Sequence, residues 1–210
     1  MPVSLPPAAL ALGVLLAAYL LGSLSGSLLL GRLRGVDVRT QGSGNAGGTN
    51  AFRTQGLRFA LGAVAIDLGK GALSAWLALR FAPDWAWAAL LAAMVGHVWP
   101  LWHGFRGGKG AGAGVGGLLV LWPLVVPLLV GLWALVLVAS GYVGLATVIA
   151  AASLTLWAWL LAPDAGPLGY CIVFSLFIAF THRANLQRLW QGSELRFEGA
   201  RFWRRGRARS

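Results

Sequence analysis

The chain has 210 residues, of which 58% are hydrophobic and only 11% are charged, and its mean hydropathy is +0.72. This composition is too apolar for a soluble domain of that length and is typical of an integral membrane protein. The formal net charge is +11. Because the arginines flank apolar segments and no nucleic-acid motif accompanies them, the positive-inside rule and anionic lipid headgroups explain this charge better than a nucleic-acid partner does.

Six apolar segments follow one another along the chain. At a rise of about 1.5 Å per residue, most of them can cross a hydrocarbon core of roughly 30 Å. They cover residues 10–30, 59–81, 85–102, 111–139, 142–161 and 168–181. The first segment lacks a basic leading region and a small-residue cleavage signature, so we expect a transmembrane helix there and not a cleaved signal peptide.

The connections between these segments are of two kinds. Basic, glycine-rich connections cover residues 32–58, 103–110 and 183–210, whereas those at 82–84 and 163–167 are short and acidic or proline-bearing. If the basic connections are cytoplasmic, the N-terminus lies outside and the C-terminus lies in the cytoplasm. The number of crossings must then be odd.

Six crossings would break that rule, but residues 111–139 are long for one span and carry Trp122, Pro123 and Pro127 near their middle. Two shortened helices that turn there restore an odd number. We therefore predict an all-α integral membrane protein with seven transmembrane helices, an outside N-terminus and a cytoplasmic C-terminus. We expect a single polytopic membrane domain over residues 1–210, with 200–210 as a basic cytoplasmic tail.

The first polar cluster lies in the connection after the first span. It combines glycines, hydroxyls, amides and a guanidinium, at Gly42, Ser43, Gly44, Asn45, Thr49, Asn50 and Arg53. Such a segment can wrap backbone N–H donors around an anion, to which an arginine adds charge-assisted hydrogen bonds. A flexible loop between helices has a similar composition, so the cluster alone fits either a phosphate site or a connector.

The chain has only two lysines beside its arginines, and each has a glycine on both sides. Glycine lets a lysine and the nearby backbone N–H groups approach an anion closely. Lys70 lies three residues after Asp67 on one helix face, which fits either an internal ion pair or a phosphate contact. Lys109 follows Gly107 and Gly108 where a helix opens, so it fits either a phosphate site or a positive-inside anchor.

The histidines lie close to these polar segments. His97 comes shortly before the second glycine-rich segment, and His182 lies three residues before Asn185, so that on a helix both point the same way. Three histidines without a clustered carboxylate or cysteine predict neither a metal site nor a cofactor. The sequence also lacks a GxSxG elbow and an HxxxxD box, so classical base-assisted acyl transfer is not indicated.

Five segments, in chain order, resemble the bacterial membrane acyl-phosphate-dependent glycerol-3-phosphate acyltransferases, the PlsY family. They are LLGSLSGSLLLGRLRGVDVRTQGSGNAGGTNAFRTQG, DLGKGA, GHVWPLWHGFRGGKGAGAG, SGYVGLAT and HRANLQRLWQGSE. The resemblance implies transfer of a fatty acyl group from acyl phosphate to the 1-hydroxyl of glycerol 3-phosphate, which gives lysophosphatidic acid and phosphate and begins phospholipid synthesis. It also implies a multi-pass protein of the bacterial cytoplasmic (inner) membrane, an active site on the cytoplasmic face, and a functional link to an acyl-phosphate synthase.

The resemblance and the polar clusters together predict the site residues. The catalytic candidates are Ser43, Lys109, His182, Asn185 and Thr147. The candidates for binding substrate phosphate are Gly42, Gly44, Asn45, Thr49, Asn50, Arg53, Lys70, His97, Gly107 and Gly108. The chain departs from the family pattern at Ser25, where proline is usual, at Gly141, where arginine is frequent, and at Gly144, which removes a frequent serine hydroxyl.

Two other functions fit parts of this pattern. A small-anion or sugar-phosphate membrane transporter also needs a buried cationic basin, although the inverted repeats common in carriers are not visible here. A structural or regulatory protein that binds anionic membrane lipid would leave the glycine-bracketed lysines and the aligned His182 and Asn185 without a purpose.

Overall fold

The structure is a computed structural model that describes residues 6–162 and 167–197. Within these residues the regular secondary structure is helical throughout. The helices are α1 (Pro7–Gly22), α2 (Gly26–Leu33), α3 (Gly48–Gln55), α4 (Leu57–Phe81), α5 (Ala86–Val98), α6 (Ala111–Leu121), α7 (Val125–Ser140), α8 (Val143–Leu161), α9 (Leu168–Thr181) and α10 (Arg183–Trp190). Most of the predicted connection at 163–167 and the whole predicted tail at 200–210 lie outside the described residues.

Among the described residues, three helical segments are long and apolar enough to cross a membrane: α4, α5 with its flanking 3₁₀ turns (Pro83–His103), and α8. The bent pair α1 and α2 makes a fourth if it counts as one span, and α6, α7 and α9 are apolar but shorter. The predicted segments at 59–81, 85–102, 142–161 and 168–181 each coincide with a helix. The count of seven crossings and the orientation of the termini stay predictions.

The first predicted span is broken. Residues 23–25 separate α1 from α2, and the two helices meet at an angle of 48°. Glycines on either side of the break allow close packing, since a Cβ atom at Gly22 would lie 2.1 Å from Ala93 O and one at Gly26 would lie 2.3 Å from Ala63 O. The prediction of one continuous helix over residues 10–30 is therefore wrong, because apolarity alone does not report a break that other helices hold in place.

The long apolar run at 111–139 divides as predicted. α6 ends at Leu121 and α7 begins at Val125, whereas Pro127 lies inside the first turn of α7, where its missing N–H group has no helical partner to lose. The chain clusters into two compact units, Met1–Pro123 and Leu124–Ser210. The single domain over residues 1–210 stays a prediction.

In the first unit α4 packs against α1, α2, α3, α5 and α6. Glycines let α4 and α6 touch backbone to backbone: a Cβ atom at Gly71 would lie 1.9 Å from Ala113 O, and one at Gly116 would lie 2.0 Å from Leu68 O. In the second unit α8 packs against α7, α9 and α10. This close packing fixes the helix ends on which the polar clusters lie.

Candidate active site

Asn50 organises the first polar cluster. Its side chain is buried, its Oδ1 accepts a hydrogen bond from Ser43 N at 2.8 Å, and its Nδ2 donates to Val38 O at 2.9 Å and to Gln41 O at 3.1 Å. Gly42 has a φ of +58° and lies so close that a Cβ atom would be 2.3 Å from Asn50 Oδ1. The Asn50 amide is thus used to shape the loop that presents Ser43.

The second half of this cluster is helical and not a loop. Gly47 is the extended N-cap of α3, so Thr49, Asn50 and Arg53 all lie on that helix. The N–H groups in the first turn of a helix have no intrahelical acceptors, and the helix dipole favours an anion there. Thr49 lies in the first turn of α3 and Arg53 in its last turn, and both are half-buried. Because they are four residues apart, they lie on one face of the helix, so α3 offers an anion a hydroxyl and a guanidinium.

Side chains connect this first loop to its surroundings. Ser27 Oγ, on α2, donates to Ala46 O at 2.7 Å. Arg39 pairs with Asp37, Nη2 to Oδ2 at 2.7 Å, and its Nη1 donates to the backbone oxygen of Arg106 at 3.0 Å. The side-chain hydrogen bond from Arg39 lowers the pKa of the Asp37 carboxyl below its ordinary value and so keeps it ionised. Through Arg39, the first glycine-rich segment is joined to the second.

The second glycine-rich segment folds back over the end of α5. Gly107 N donates to Val98 O and Gly108 N donates to His97 O, both at 3.1 Å. A Cβ atom at Gly108 would lie 2.1 Å from His97 Nε2, so only glycine lets the chain pass the imidazole. These two N–H groups are therefore engaged within the protein, and the glycines serve to place the half-buried Lys109 just before α6.

Asp67 and Lys70 form a buried ion pair, with Lys70 Nζ 3.0 Å from Asp67 Oδ1 and side chains 5% and 3% exposed. Lys70 Nζ also donates to Gly22 O and Leu24 O, both at 2.8 Å, and Asp67 Oδ1 accepts from Gly26 N at 3.1 Å. The Lys70 ammonium thus supplies hydrogen-bond donors to carbonyl groups where α1 ends. The Asp67 carboxylate supplies a hydrogen-bond acceptor to an N–H group where α2 begins. Both charges match the helix dipoles at those ends.

His97 completes this buried cluster. Its Nδ1 lies 2.6 Å from Lys70 Nζ, and because an ammonium can only donate, Nδ1 is the acceptor. The donors of Lys70 are used by these partners, so the geometry favours the ion pair over the phosphate contact, the two roles that the sequence leaves open. The same cluster lies directly beneath Gly108.

In the second unit, His182 directly follows α9 and is 5% exposed. Its Nδ1 lies 2.9 Å from Ile178 O, and since a carbonyl oxygen only accepts, Nδ1 carries the proton and Nε2 is the basic nitrogen. Thr147 is engaged by its own unit, because its Oγ1 donates to Val143 O at 2.9 Å and accepts from Trp133 Nε1 at 3.1 Å.

Asn185 lies on α10 and contacts two other parts of the second unit. Its Nδ2 donates to Glu194 Oε1 at 2.5 Å, and Arg188 Nε donates to Glu194 Oε2 at 2.7 Å. A Cβ atom at Gly144 would lie 2.8 Å from Asn185 Cβ. The missing side chain at Gly144 therefore makes room for Asn185. Across the described residues, no group of three or more His, Cys, Asp or Glu side chains could hold a metal ion.

A sequence profile described as glycerol-3-phosphate acyltransferase matches residues 12–192. Similar proteins include the glycerol-3-phosphate acyltransferase of Shewanella woodyi, 38% identical over 192 residues that make up 90% of this chain and 94% of that protein. The chain belongs to the glycerol-3-phosphate acyltransferase family. The family member of Cronobacter sakazakii is 37% identical over 191 residues, which make up 89% of this chain and 91% of that protein.

Two crystal structures of PlsY (YgiH), described as an integral membrane glycerol 3-phosphate acyltransferase, share the fold of this family member. The glycerol 3-phosphate form has a TM-score of 0.83 at 33% identity, covering 89% of this chain and 95% of that chain. The lysophosphatidic acid form has a TM-score of 0.81 at 32% identity, covering 89% and 94%. The prediction of an all-helical, integral membrane acyltransferase fold is confirmed.

Sequence reasoning missed three side chains that hold candidate site residues, or the loops next to them, in place. Glu194 holds Asn185 and Arg188, Arg39 joins the two glycine-rich segments, and Ser27 fixes Ala46. Glu194 carried a signal, because an acidic residue in a basic segment needs a cationic partner. Ser27 carried none, since a serine in an apolar helix has the same appearance whether or not it contacts a loop.

Proposed function

We propose that this chain is an acyl-phosphate:glycerol-3-phosphate O-acyltransferase. The 1-hydroxyl oxygen of glycerol 3-phosphate attacks the carbonyl carbon of acyl phosphate, an ester C–O bond forms, and the bond from that carbon to the phosphate oxygen breaks. The departing phosphate takes up the hydroxyl proton. Lysophosphatidic acid and inorganic phosphate are the products, and the scheme uses neither a metal ion nor a cofactor.

The observation that carries this proposal is the joining, through Arg39, of two glycine-rich cationic segments in the first unit. Both substrates carry phosphate, and Arg53 on α3 and Lys109 before α6 can supply the charge-assisted contacts that phosphate needs. The open first turn of α3 adds backbone donors. The solved PlsY relative, with its glycerol 3-phosphate and lysophosphatidic acid forms, supports the same substrate and product here.

The choice of acyl phosphate as donor follows from its chemistry. An acyl phosphate is already activated, and the phosphate that leaves can itself accept the proton, so a strong protein base is unnecessary. The protein then supplies proximity and charge stabilisation. In this scheme Ser43 and Lys109 contact the reacting phosphate. We also propose that His182 and Asn185 contact substrate, as the resemblance to the family implies. A separate acyl-phosphate synthase would supply the donor.

The same proposal includes the topology. The bent pair α1 and α2 counts as one crossing, α4, α5 and α8 add three, and the shorter α6, α7 and α9 add three more, which gives seven. Seven crossings leave the N-terminus outside and the C-terminus inside if the basic connections are cytoplasmic. The protein would then lie in the bacterial inner membrane with its active site facing the cytoplasm. The cytoplasm is also where its soluble substrate is made.

The test is an assay of the purified full chain with palmitoyl phosphate and glycerol 3-phosphate. We expect lysophosphatidic acid and free phosphate in equal amounts, and none with palmitoyl-CoA, with an acyl carrier protein thioester, or when glycerol replaces glycerol 3-phosphate. A Lys109→Ala variant with an unchanged thermal midpoint should lose turnover. Absence of product from well-folded protein that still binds glycerol 3-phosphate would overturn the proposal and favour a small-anion or sugar-phosphate transporter.

A further inference from the structure

A groove of about 580 Å³ lies in the first unit between the end of α2 and the 3₁₀ turn Leu101–His103. Its lining combines apolar side chains, among them Leu28 and Val36, with charged ones, among them Arg32. None of the residues that line it belongs to the predicted acyltransferase site. The groove therefore needs its own explanation.

Arg32 is the exposed cation of this groove. Its Nη2 donates to Trp102 O at 3.0 Å, which fixes the guanidinium against the 3₁₀ turn. Within the described part of the chain this is the one hydrogen bond of Arg32, although a guanidinium has five N–H donors. The remaining donors can bind an oxyanion in the fork geometry that suits phosphate.

The other charges of the groove leave Arg32 without a competing carboxylate. Asp37 also lines it, but Asp37 Oδ2 lies 2.7 Å from Arg39 Nη2, and Arg39 Nε donates to both carboxylate oxygens. Two arginines and one aspartate line the groove, so its net charge is positive. An anion in the groove meets this surplus charge.

His103 gives a second, independent reason to expect a ligand. It lines the groove and is 7% exposed, and its Nε2 has no hydrogen-bond partner in the described part of the structure. A buried polar atom without a partner costs free energy, so such atoms are rare in folded proteins. A ligand oxygen, or a water held by a ligand, would supply the missing partner.

Three exposed apolar side chains either line the groove or directly follow a lining residue in the chain. Trp102 is 50% exposed, Leu33 at the end of α2 is 84% exposed, and Phe105 is 54% exposed while it holds a φ of +59°. A bulky residue rarely adopts this left-handed conformation, and such strain is retained where the surrounding structure imposes it. Aromatic side chains beside arginines are characteristic of the membrane interface.

We propose that this groove binds the phosphate group of an anionic membrane phospholipid, with Arg32 as the main contact. The lipid phosphate would accept from the Arg32 guanidinium and satisfy the polar side of the groove. Its acyl chains would extend past the exposed Trp102, Phe105 and Leu33. Seven of the nine residues that line this site lie in the two glycine-rich connections, 32–58 and 103–110, but none of them is a predicted acyltransferase site residue. The proposed lipid site therefore goes beyond the proposed acyl transfer.

Native mass spectrometry of the detergent-solubilised full chain tests this site. Phosphatidylglycerol and phosphatidylcholine with the same acyl chains are added to wild type, to Arg32→Gln, and to Arg58→Gln. Arg58 is an exposed arginine near the start of α4 and does not line the groove. The two glutamine variants therefore lose the same charge, but only Arg32→Gln loses it in the groove. An Arg32→Lys variant keeps the charge but loses the fork, and thermal midpoints establish that each variant is folded.

We expect wild type and Arg58→Gln to retain phosphatidylglycerol in preference to phosphatidylcholine. Arg32→Gln should bind phosphatidylglycerol about tenfold more weakly, the size expected for one lost charge-assisted contact, and Arg32→Lys should be intermediate. Equal weakening by both glutamine variants would overturn the proposal in favour of diffuse surface charge. Equal retention of the two lipids would overturn the proposal in favour of apolar contact alone. Displacement of phosphatidylglycerol by millimolar inorganic phosphate would overturn it in favour of a free-phosphate site.

Discussion

At the scale of single residues, the buried Asp67–Lys70 pair explains how a broken helix is tolerated in a membrane span. A break leaves carbonyl and N–H groups without partners, and in lipid each of them is costly. Lys70 takes two of the carbonyl groups and Asp67 takes an N–H group. The charges are therefore structural parts of the break, and they are connected through His97 to the turn that carries Lys109.

Replacement of Lys70 by methionine should strongly destabilise the protein. Lys70→Met leaves Asp67 buried without its partner and Gly22 O and Leu24 O without a donor, and breaking one side of a buried pair costs about 3–5 kcal/mol. The loss is measured as a fall in the thermal unfolding midpoint in detergent. The double variant Asp67→Asn with Lys70→Met removes both charges and should lose less than Lys70→Met alone. A double variant that loses more would contradict the ion-pair role.

The activity should be sensitive to replacement of the Asn50 amide nitrogen by an oxygen. In Asn50→Asp the new carboxylate oxygen faces Val38 O and Gln41 O, which now lack a donor, so the loop that presents Ser43 must shift. We expect kcat/KM for the acyl transfer to fall about 100-fold, since displacements near 1 Å have such effects. Gln55→Glu makes the same change at an exposed amide that donates to Gln41 Oε1, and it should keep most activity.

These residue roles could be predicted from the sequence only in part. The pairing of Asp67 with Lys70 follows from their spacing on one helix face, but the break that they satisfy is invisible in an apolar segment. The importance of Asn50 follows from the motif, whereas its actual partners, Ser43 N and two carbonyl groups, depend on how the loop folds back. Spacing predicts which residues share an element, not which backbone atoms from other elements approach them.

At the scale of helices, glycine positions decide which elements can touch. Gly69 and Gly71 lie two residues apart on α4, but they face different surroundings. Gly71 is buried against the backbone of α6, whereas a Cβ atom at Gly69 would meet nothing within 4 Å. The two positions therefore form a matched pair for measuring the contact between α4 and α6.

Gly71→Ala should separate α4 from α6, because its methyl group would lie 1.9 Å from Ala113 O and backbone cannot yield as a flexible side chain does. Overpacking of this kind costs about 1–3 kcal/mol or more, and α6 follows directly after the turn that carries Lys109. Gly69→Ala should be neutral or stabilising by up to about 1 kcal/mol through helix propensity. Thermal midpoints and turnover measured side by side test this, and equal losses in the two variants would contradict it.

The sequence predicts helices better than it predicts their interruptions. The segment at 59–81 coincides with α4 because length and apolarity alone identify a membrane helix. The segment at 168–181 coincides with α9, which is apolar but shorter. The break between α6 and α7 was predicted from chain parity together with Trp122 and Pro123. The sequence does not predict the break after Gly22, because no proline marks it. It does not predict α3 either, because glycine-rich segments rarely form helices.

At the scale of the whole molecule, the proposed seven crossings make a firm statement about sides of the membrane. Thr40 follows the first crossing, Asp84 follows the next, and Ser193 follows α9 and α10. Six crossings separate Thr40 from Ser193, so both should lie on the cytoplasmic side, whereas Asp84 should lie outside. All three residues are exposed, and each can carry a label.

Cysteine labelling checks this arrangement, because Cys171 is the chain's single cysteine and is buried. In a Cys171→Ala background, a membrane-impermeant maleimide added to sealed spheroplasts should modify the cysteine introduced by Asp84→Cys. The cysteines introduced by Thr40→Cys and Ser193→Cys should react only after the membrane is permeabilised. If Thr40 and Ser193 react from opposite sides of the membrane, the number of crossings between them is odd. One of the short helices α6, α7 or α9 then does not span the membrane. In that case the polar segments at the two ends of the chain do not share the cytoplasmic face.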